Sequence, residues 1–175
     1  MAFTLPSDLA TNWQDNVGMI ENAAYLNAVG TMNNQIKAAI TSTVNNVQSS
    51  VVATSESTTS LTYANLTTTT DYATVTVGAS GMALVIIYAT MTTANGAGIN
   101  SLSYEISGNN TSAAADTKAL MYCSQNNPGT SAFGATFFET GLATGSTTFK
   151  LKYKTNNASY AATFANRRIA VIPFF

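Results

Sequence analysis

The chain has 175 residues, only 9% of them charged, with a net charge of −1 and a pI near 5.1. Intrinsic disorder needs high charge and few aromatics, and a chain that is 46% hydrophobic and 10% aromatic excludes it. The lack of a basic excess argues against nucleic acid, and the absence of histidine removes the commonest general base and zinc ligand.

The start, "MAFTLPSD", has no basic n-region and no apolar h-region, so no signal peptide is visible. The longest apolar run, Met82 to Met91, is about half of what a membrane helix needs. A soluble protein made in a cytoplasm, with no membrane insertion, is the expectation. Residues 1–25 read as a separate segment. They hold Pro6 and the only tryptophan, Trp13, which is either a local packing anchor or a docking anchor for a partner.

A helical pattern covers residues 26–48. Apolar or small residues recur at alternating steps of three and four: Leu26, Val29, Asn33, Ile36, Ile40, Thr43 and Val47. This heptad seam is mostly β-branched, which favours three or four strands over two, and Asn33 interrupts it in the manner that fixes register. The flanks lack Glu/Lys pairs, so the helix is not expected to trimerise alone; packing on its own domain is the alternative. Residues 49–57, within "SSVVATSESTTS", read as a polar hinge.

From residue 58 onward the period is that of strands. Runs such as "SLTYANL", "DYATVTV", "MALVIIYAT", "INSLSYEIS", "TKALMYCS", "FGATFFET" and "TFKLKYKT" alternate with Gly/Asn-rich turn signals, and "YAATF" and "RRIAVIPFF" close the chain. Eight or nine short strands at this spacing predict an antiparallel β-sandwich of jelly-roll type over residues 58–175. The fold class is therefore mainly β, preceded by an N-terminal helical segment.

Five of the seven basic residues lie near the end: Lys150, Lys152, Lys154, Arg167 and Arg168. In "TFKLKYKT", Phe149, Leu151 and Tyr153 alternate with the three lysines, so a period of two puts aromatics inward and lysines on a solvated face. The lysines would also discourage edge pairing, and they offer a second-choice ligand surface. Arg167 and Arg168 are adjacent and must point to opposite faces; the buried one needs a carboxylate or backbone carbonyls. Ile169, Val171 and the closing aromatics are expected in the core or at an oligomer axis.

Of the carboxylates, Glu56, Asp71, Glu105, Asp116 and Glu139 stand singly in the sandwich sequence. No motif joins them into a catalytic pair, so no enzyme activity, metal or cofactor is expected. Cys123, the only cysteine, reads as a small buried hydrophobe within its strand.

The end of the chain, "GLATGSTTFKLKYKTNNASYAATFANRRIAVIPF", resembles the closing strands of trimeric tumour-necrosis-factor-like jelly rolls in tailed-phage virion proteins. "DYATVTVGASGMALVIIYA" is similar to the early hairpin of that group, so the resemblance spans roughly residues 58–175. Trp13 followed by Ala23, Ala24, Leu26 and Asn27 resembles, over a shorter stretch, the N-terminal module of phage fibre and accessory proteins. The resemblance implies a non-enzymatic homotrimer with two possible roles. One is a capsid decoration protein bound to the major capsid protein through its N-terminal segment; this is favoured, because a repeated fibre shaft is missing. The other is a tail-fibre head that recognises a host-surface glycan or protein. Lys150, Lys152, Lys154 and Tyr160, with the Asn-rich loops, are the candidate ligand surface in that second role.

Overall fold

Period-two alternation builds the sandwich. The computed structural model describes residues 23–93, 98–123 and 129–175. The helix α1 (Ala23–Asn45) is followed by β1 (Gln48–Val52), β2 (Glu56–Thr58), β3 (Tyr72–Val77), β4 (Ala83–Thr93) and β5 (Ile99–Gly108). A 3-10 turn (Asp116–Lys118) then leads to β6 (Leu120–Cys123), β7 (Gly129–Glu139), β8 (Gly145–Thr155) and β9 (Ala162–Pro173). Pro6 and Trp13 lie outside the described residues. The chain divides into two units, with α1 in the first and Val47–Phe175 forming the second.

The strands are antiparallel throughout and form two sheets, in the orders β1-β9-β4-β7 and β3-β8-β5-β6, with β2 continuing the β1 edge along β9. Chain crossings between the two sheets give the jelly-roll order, as the sequence led us to expect. Between the sheets, Val85, Ile87, Ala89 and Met91 of β4 and Ile169 and Val171 of β9 meet Leu102 and Tyr104 of β5 and Phe149, Leu151 and Tyr153 of β8. All are fully buried. Each large side chain so buried contributes about 1.5–3 kcal/mol relative to exposure.

Several expectations are corrected. Residues 49–57 are not a hinge: they form β1 and β2, hydrogen-bonded to β9 from Gln48↔Val171 to Thr58↔Ala162. "SLTYANL" is not a strand, and only Ala64 makes a bridge, to Tyr153. The helix ends at Asn45, so Val47 is beyond it and leaves the heptad seam. Cys123 is exposed rather than buried, because β6 turns Leu120 and Tyr122 inward and Met121 and Cys123 outward. β8 is paired on both sides, with β3 and with β5, so its lysines guard no edge.

"YAATF" and "RRIAVIPFF" are one strand, β9, interrupted by a bulge. Opposite β4 the register jumps between Tyr88↔Arg168 and Thr90↔Ala165, and Asn166 adopts a positive φ of 50°. One extra residue inverts the inward–outward parity. Ala162 and Phe164 face inward before the bulge, and Arg167, Ile169 and Val171 after it. Asn tolerates the left-handed region better than most residues, since its short amide hydrogen-bonds locally.

The chain end is pinned. The Phe174 amide donates to Met82 O (3.0 Å) and Ser80 Oγ donates to Phe174 O (2.7 Å). Gly78 packs so closely that an added Cβ would lie 2.7 Å from Phe174 O. Ile169 and Val171 are in the core as expected; Phe174 is half-buried against Phe138, and Phe175 is exposed.

Candidate functional site

Three places in the described residues concentrate chemistry or unburied apolar surface. The first is a groove on the outer face of the β3-β8-β5-β6 sheet. Period two sends Lys152 and Lys154 of β8 and Glu105 of β5 to this face, and two loops wall it. On one side, residues 60–64 run along β8, fixed by Ala64 N to Tyr153 O (3.0 Å) and Thr155 N to Ser60 O (2.8 Å). On the other, residues 112–116 fold back over β5, fixed by Ser112 pairing with Ile106 and by Ser103 Oγ donating to Ala115 O (3.0 Å).

Within the groove Lys152 Nζ meets Glu105 Oε1 at 2.9 Å, and Lys154 Nζ meets Asp116 Oδ1 at 2.7 Å. The Tyr63 hydroxyl donates to the same Asp116 oxygen at 2.8 Å, and Lys154 Nζ lies 4.7 Å from the Tyr63 ring centre. The hydrogen bonds from Lys154 and Tyr63 hold the Asp116 carboxyl below its usual range. Burial, and then the Asp116 carboxylate, push the Tyr63 phenol up. The hollow holds about 470 Å³ and is also lined by Leu61, Ala113 and Ala114.

The lysines are not the solvated fringe the sequence pattern implied. The side chains of Lys152 and Lys154 are only 13% and 19% exposed. Of the four residues expected to form a ligand surface, the groove brings these two together. Lys150 sits one pleat away, between Tyr72 and Glu105 in register, and does not line the groove. Tyr160 is half-buried in the 157–160 turn, beside Gly98. Tyr63, Glu105 and Asp116 escaped sequence reading, since each comes from a different part of the chain.

The second place is internal. Arg167 has no exposed surface; its Nη1 donates to Glu56 Oε2 at 2.6 Å, and its Nε lies 3.8 Å from Asp71 Oδ2. Asp71 also accepts from the Tyr153 hydroxyl, and Glu56 accepts from Thr68 N (3.0 Å) and Thr68 Oγ1 (2.7 Å). The sequence expectation for the arginine pair holds, with Arg168 exposed on the opposite face. Glu56 and Asp71, by contrast, do not stand singly: they converge on one guanidinium. Asp71 is 2% exposed, so the cluster ties β2, β3 and β9 together inside the sandwich rather than opening to a ligand.

The third place is the outer face of the β1-β9-β4-β7 sheet. Three rows cross it in register: Phe138–Leu84–Ile172, Thr136–Ile86–Ala170–Ser49 and Gly134–Tyr88–Arg168–Val51. Phe138 is 56%, Val51 54% and Ile86 37% exposed. On α1 the heptad seam is open in its middle: Leu26, Val29 and Thr43 are half-buried, whereas Asn33, Ile36 and Ile40 are exposed, as is Val44 beside them. No helix among the described residues is long and apolar enough to cross a membrane.

No family model matches the chain, and no curated protein matches it. Among solved structures, it is similar to the CBM22-1 xylan-binding domain of Paenibacillus barcinonensis Xyn10C, at 11% identity and a TM-score of 0.30. That match covers 76% of this chain and 90% of the other, and a likeness this slight carries no argument about function.

Proposed function

We propose that the protein is a non-enzymatic virion component of a tailed bacteriophage, a homotrimer that decorates the capsid surface and attaches through its first 25 residues. The observation that carries the oligomer is the outer face of the β1-β9-β4-β7 sheet. A sheet face open to water normally shows polar residues, but here Phe138, Leu84 and Ile172 cross β7, β4 and β9 in register, with Ile86 and Ala170 in the next row. Contiguous apolar surface of this kind marks an interface. With so few charges on the chain, and Arg168 the one charged side chain in these rows, the occupant that fits best is another copy presenting the same face. The open heptad stripe on α1 supports the same reading, since its β-branched positions favour three or more helices. Three N-terminal segments held together would turn weak individual contacts into firm attachment through effective concentration.

Light scattering on the full chain at micromolar concentration, with Ile86→Asp beside it, tests the oligomer. A trimer for the native chain and monomers for the variant, with unchanged far-ultraviolet circular dichroism, are expected. A monomeric native chain overturns the reading. Location then follows from copy number per particle, which is high for a head protein and low for a tail tip.

A further inference from the structure

We propose that the groove walled by residues 60–64 and 112–116 binds a neutral, hydroxyl-rich ligand: an uncharged oligosaccharide. This goes beyond the assembly role and depends on neither the trimer nor its place on the particle. In a chain with 9% charged residues, two lysines and two carboxylates gather in one hollow. They cancel in pairs, at 2.9 Å and 2.7 Å. An ionic ligand finds no excess charge there to neutralise.

A hydroxyl finds a great deal. An ammonium has three N–H donors and a carboxylate about four lone-pair positions, so each ion pair keeps donors and acceptors unfilled. Hydrogen bonds to these ionised groups are roughly twice as strong as those between neutral partners. A sugar hydroxyl, donor and acceptor at once, can bridge the two halves of a pair.

The site is also held in shape before any ligand arrives. Lys152 and Lys154 are held in their ion pairs with little exposure, and Tyr63 links one wall to the other through Asp116. Side chains already fixed by folding need not be ordered on binding, which is where ligands of this class otherwise lose affinity. Stability alone does not account for the arrangement, because ion pairs at such a surface contribute about 0–1 kcal/mol. Leu61 (56% exposed) on one wall and Ala113 on the other add apolar surface suited to the C–H face of a pyranose ring. The volume, about 470 Å³, is of small-molecule size.

The test is an amide-resolved NMR titration of the ¹⁵N-labelled full chain with cellotetraose, maltotetraose, mannotetraose and N-acetylchitotetraose, and with tetragalacturonate as the acidic counterpart. At least one neutral tetrasaccharide is expected to shift the amides of Tyr63, Glu105, Ala114 and Lys154 saturably. Glu105→Gln, which keeps the shape but breaks one charge pair, is expected to weaken that binding by about tenfold or more. Lys150→Gln, on the same strand but outside the hollow, leaves it unchanged. Absence of such shifts with all four neutral sugars, tighter binding of tetragalacturonate, or native affinity in Glu105→Gln each overturns the proposal.

Discussion

Replacing Arg167 by Met isolates the ionic cluster inside the sandwich. The substitution keeps an unbranched side chain of similar reach, so the change is mainly electrostatic. Removing one partner of a buried ion pair costs about 3–5 kcal/mol, because the remaining charge is left uncompensated. Two features place this site at the low end. Glu56 keeps 13% exposure and its hydrogen bonds from Thr68, while Asp71 keeps the Tyr153 hydroxyl. The native guanidinium is also imperfectly matched, since its Nε and Nη2 find no hydrogen-bond acceptor. A loss of about 3 kcal/mol is expected, which for a chain of this size lowers Tm by about 6–12 °C. Urea unfolding at fixed chain concentration, followed by circular dichroism, measures it.

The pH dependence has a definite sign. Burial pushes the Glu56 carboxyl up, but hydrogen bonds from Thr68 and Arg167 outweigh it and hold the group below its ordinary value. Its contribution is present above that ordinary value and is lost as pH falls through the lower folded one. Burial outweighs Tyr153 and Arg167 at Asp71 and raises it, so Asp71 works the other way: its contribution is full at low pH and fades as pH rises through the raised value. Without the guanidinium both carboxylates are harder to ionise, so the deficit of Arg167→Met is largest at neutral pH. It should shrink as the medium approaches about pH 4, where carboxyls protonate. A variant within about 1 kcal/mol of the native chain at neutral pH, or a deficit that grows on acidification, would refute the reasoning.

Three further outcomes follow from the same structure. Asn166→Gly should leave stability within about 0.5 kcal/mol, while Asn166→Val should cost about 1–2 kcal/mol by forcing a β-branched residue into the left-handed region; urea midpoints decide. Deleting residues 169–175 removes Ile169 and Val171 from the core and most of the β9 pairing with β1, a loss of several kcal/mol, so the truncated chain should show no cooperative melt. Deleting residues 1–20 should leave a folded oligomer with the same number of chains that no longer loads onto particles in a sedimentation assay.

Local pattern carried the sandwich in the sequence, and partners did not. Phe149, Leu151 and Tyr153 alternate with lysines strictly enough to set the inward face of β8, but whether β8 is an edge or a central strand depends on β3 and β5, which no local pattern names. The β1–β2 stretch looked like a hinge because it is short and polar, with Val52 its only buried hydrophobe; its strand character comes from β9 alongside. The bulge at Asn166 reversed parity in mid-strand and so read as a break between two strands. The groove was half legible: the Lys152/Lys154 strip shows in the sequence, whereas Glu105 reaches it from the neighbouring strand β5, and Tyr63 and Asp116 through the folding of loops, from about 40 to 90 residues away. Arg167 showed the opposite case. Adjacency to Arg168 and the cost of an unpaired buried guanidinium were enough to demand a carboxylate or backbone carbonyls as partner, though not to say which.

Electron cryomicroscopy of parent particles carrying the chain, with a rigid tag at its C-terminus, tests the central claim most directly. Three-lobed densities repeated at many equivalent positions over the head, and lost when residues 1–20 are deleted, are expected. Tagged density confined to a few copies at the tail tip, or absent from the particle, would contradict it.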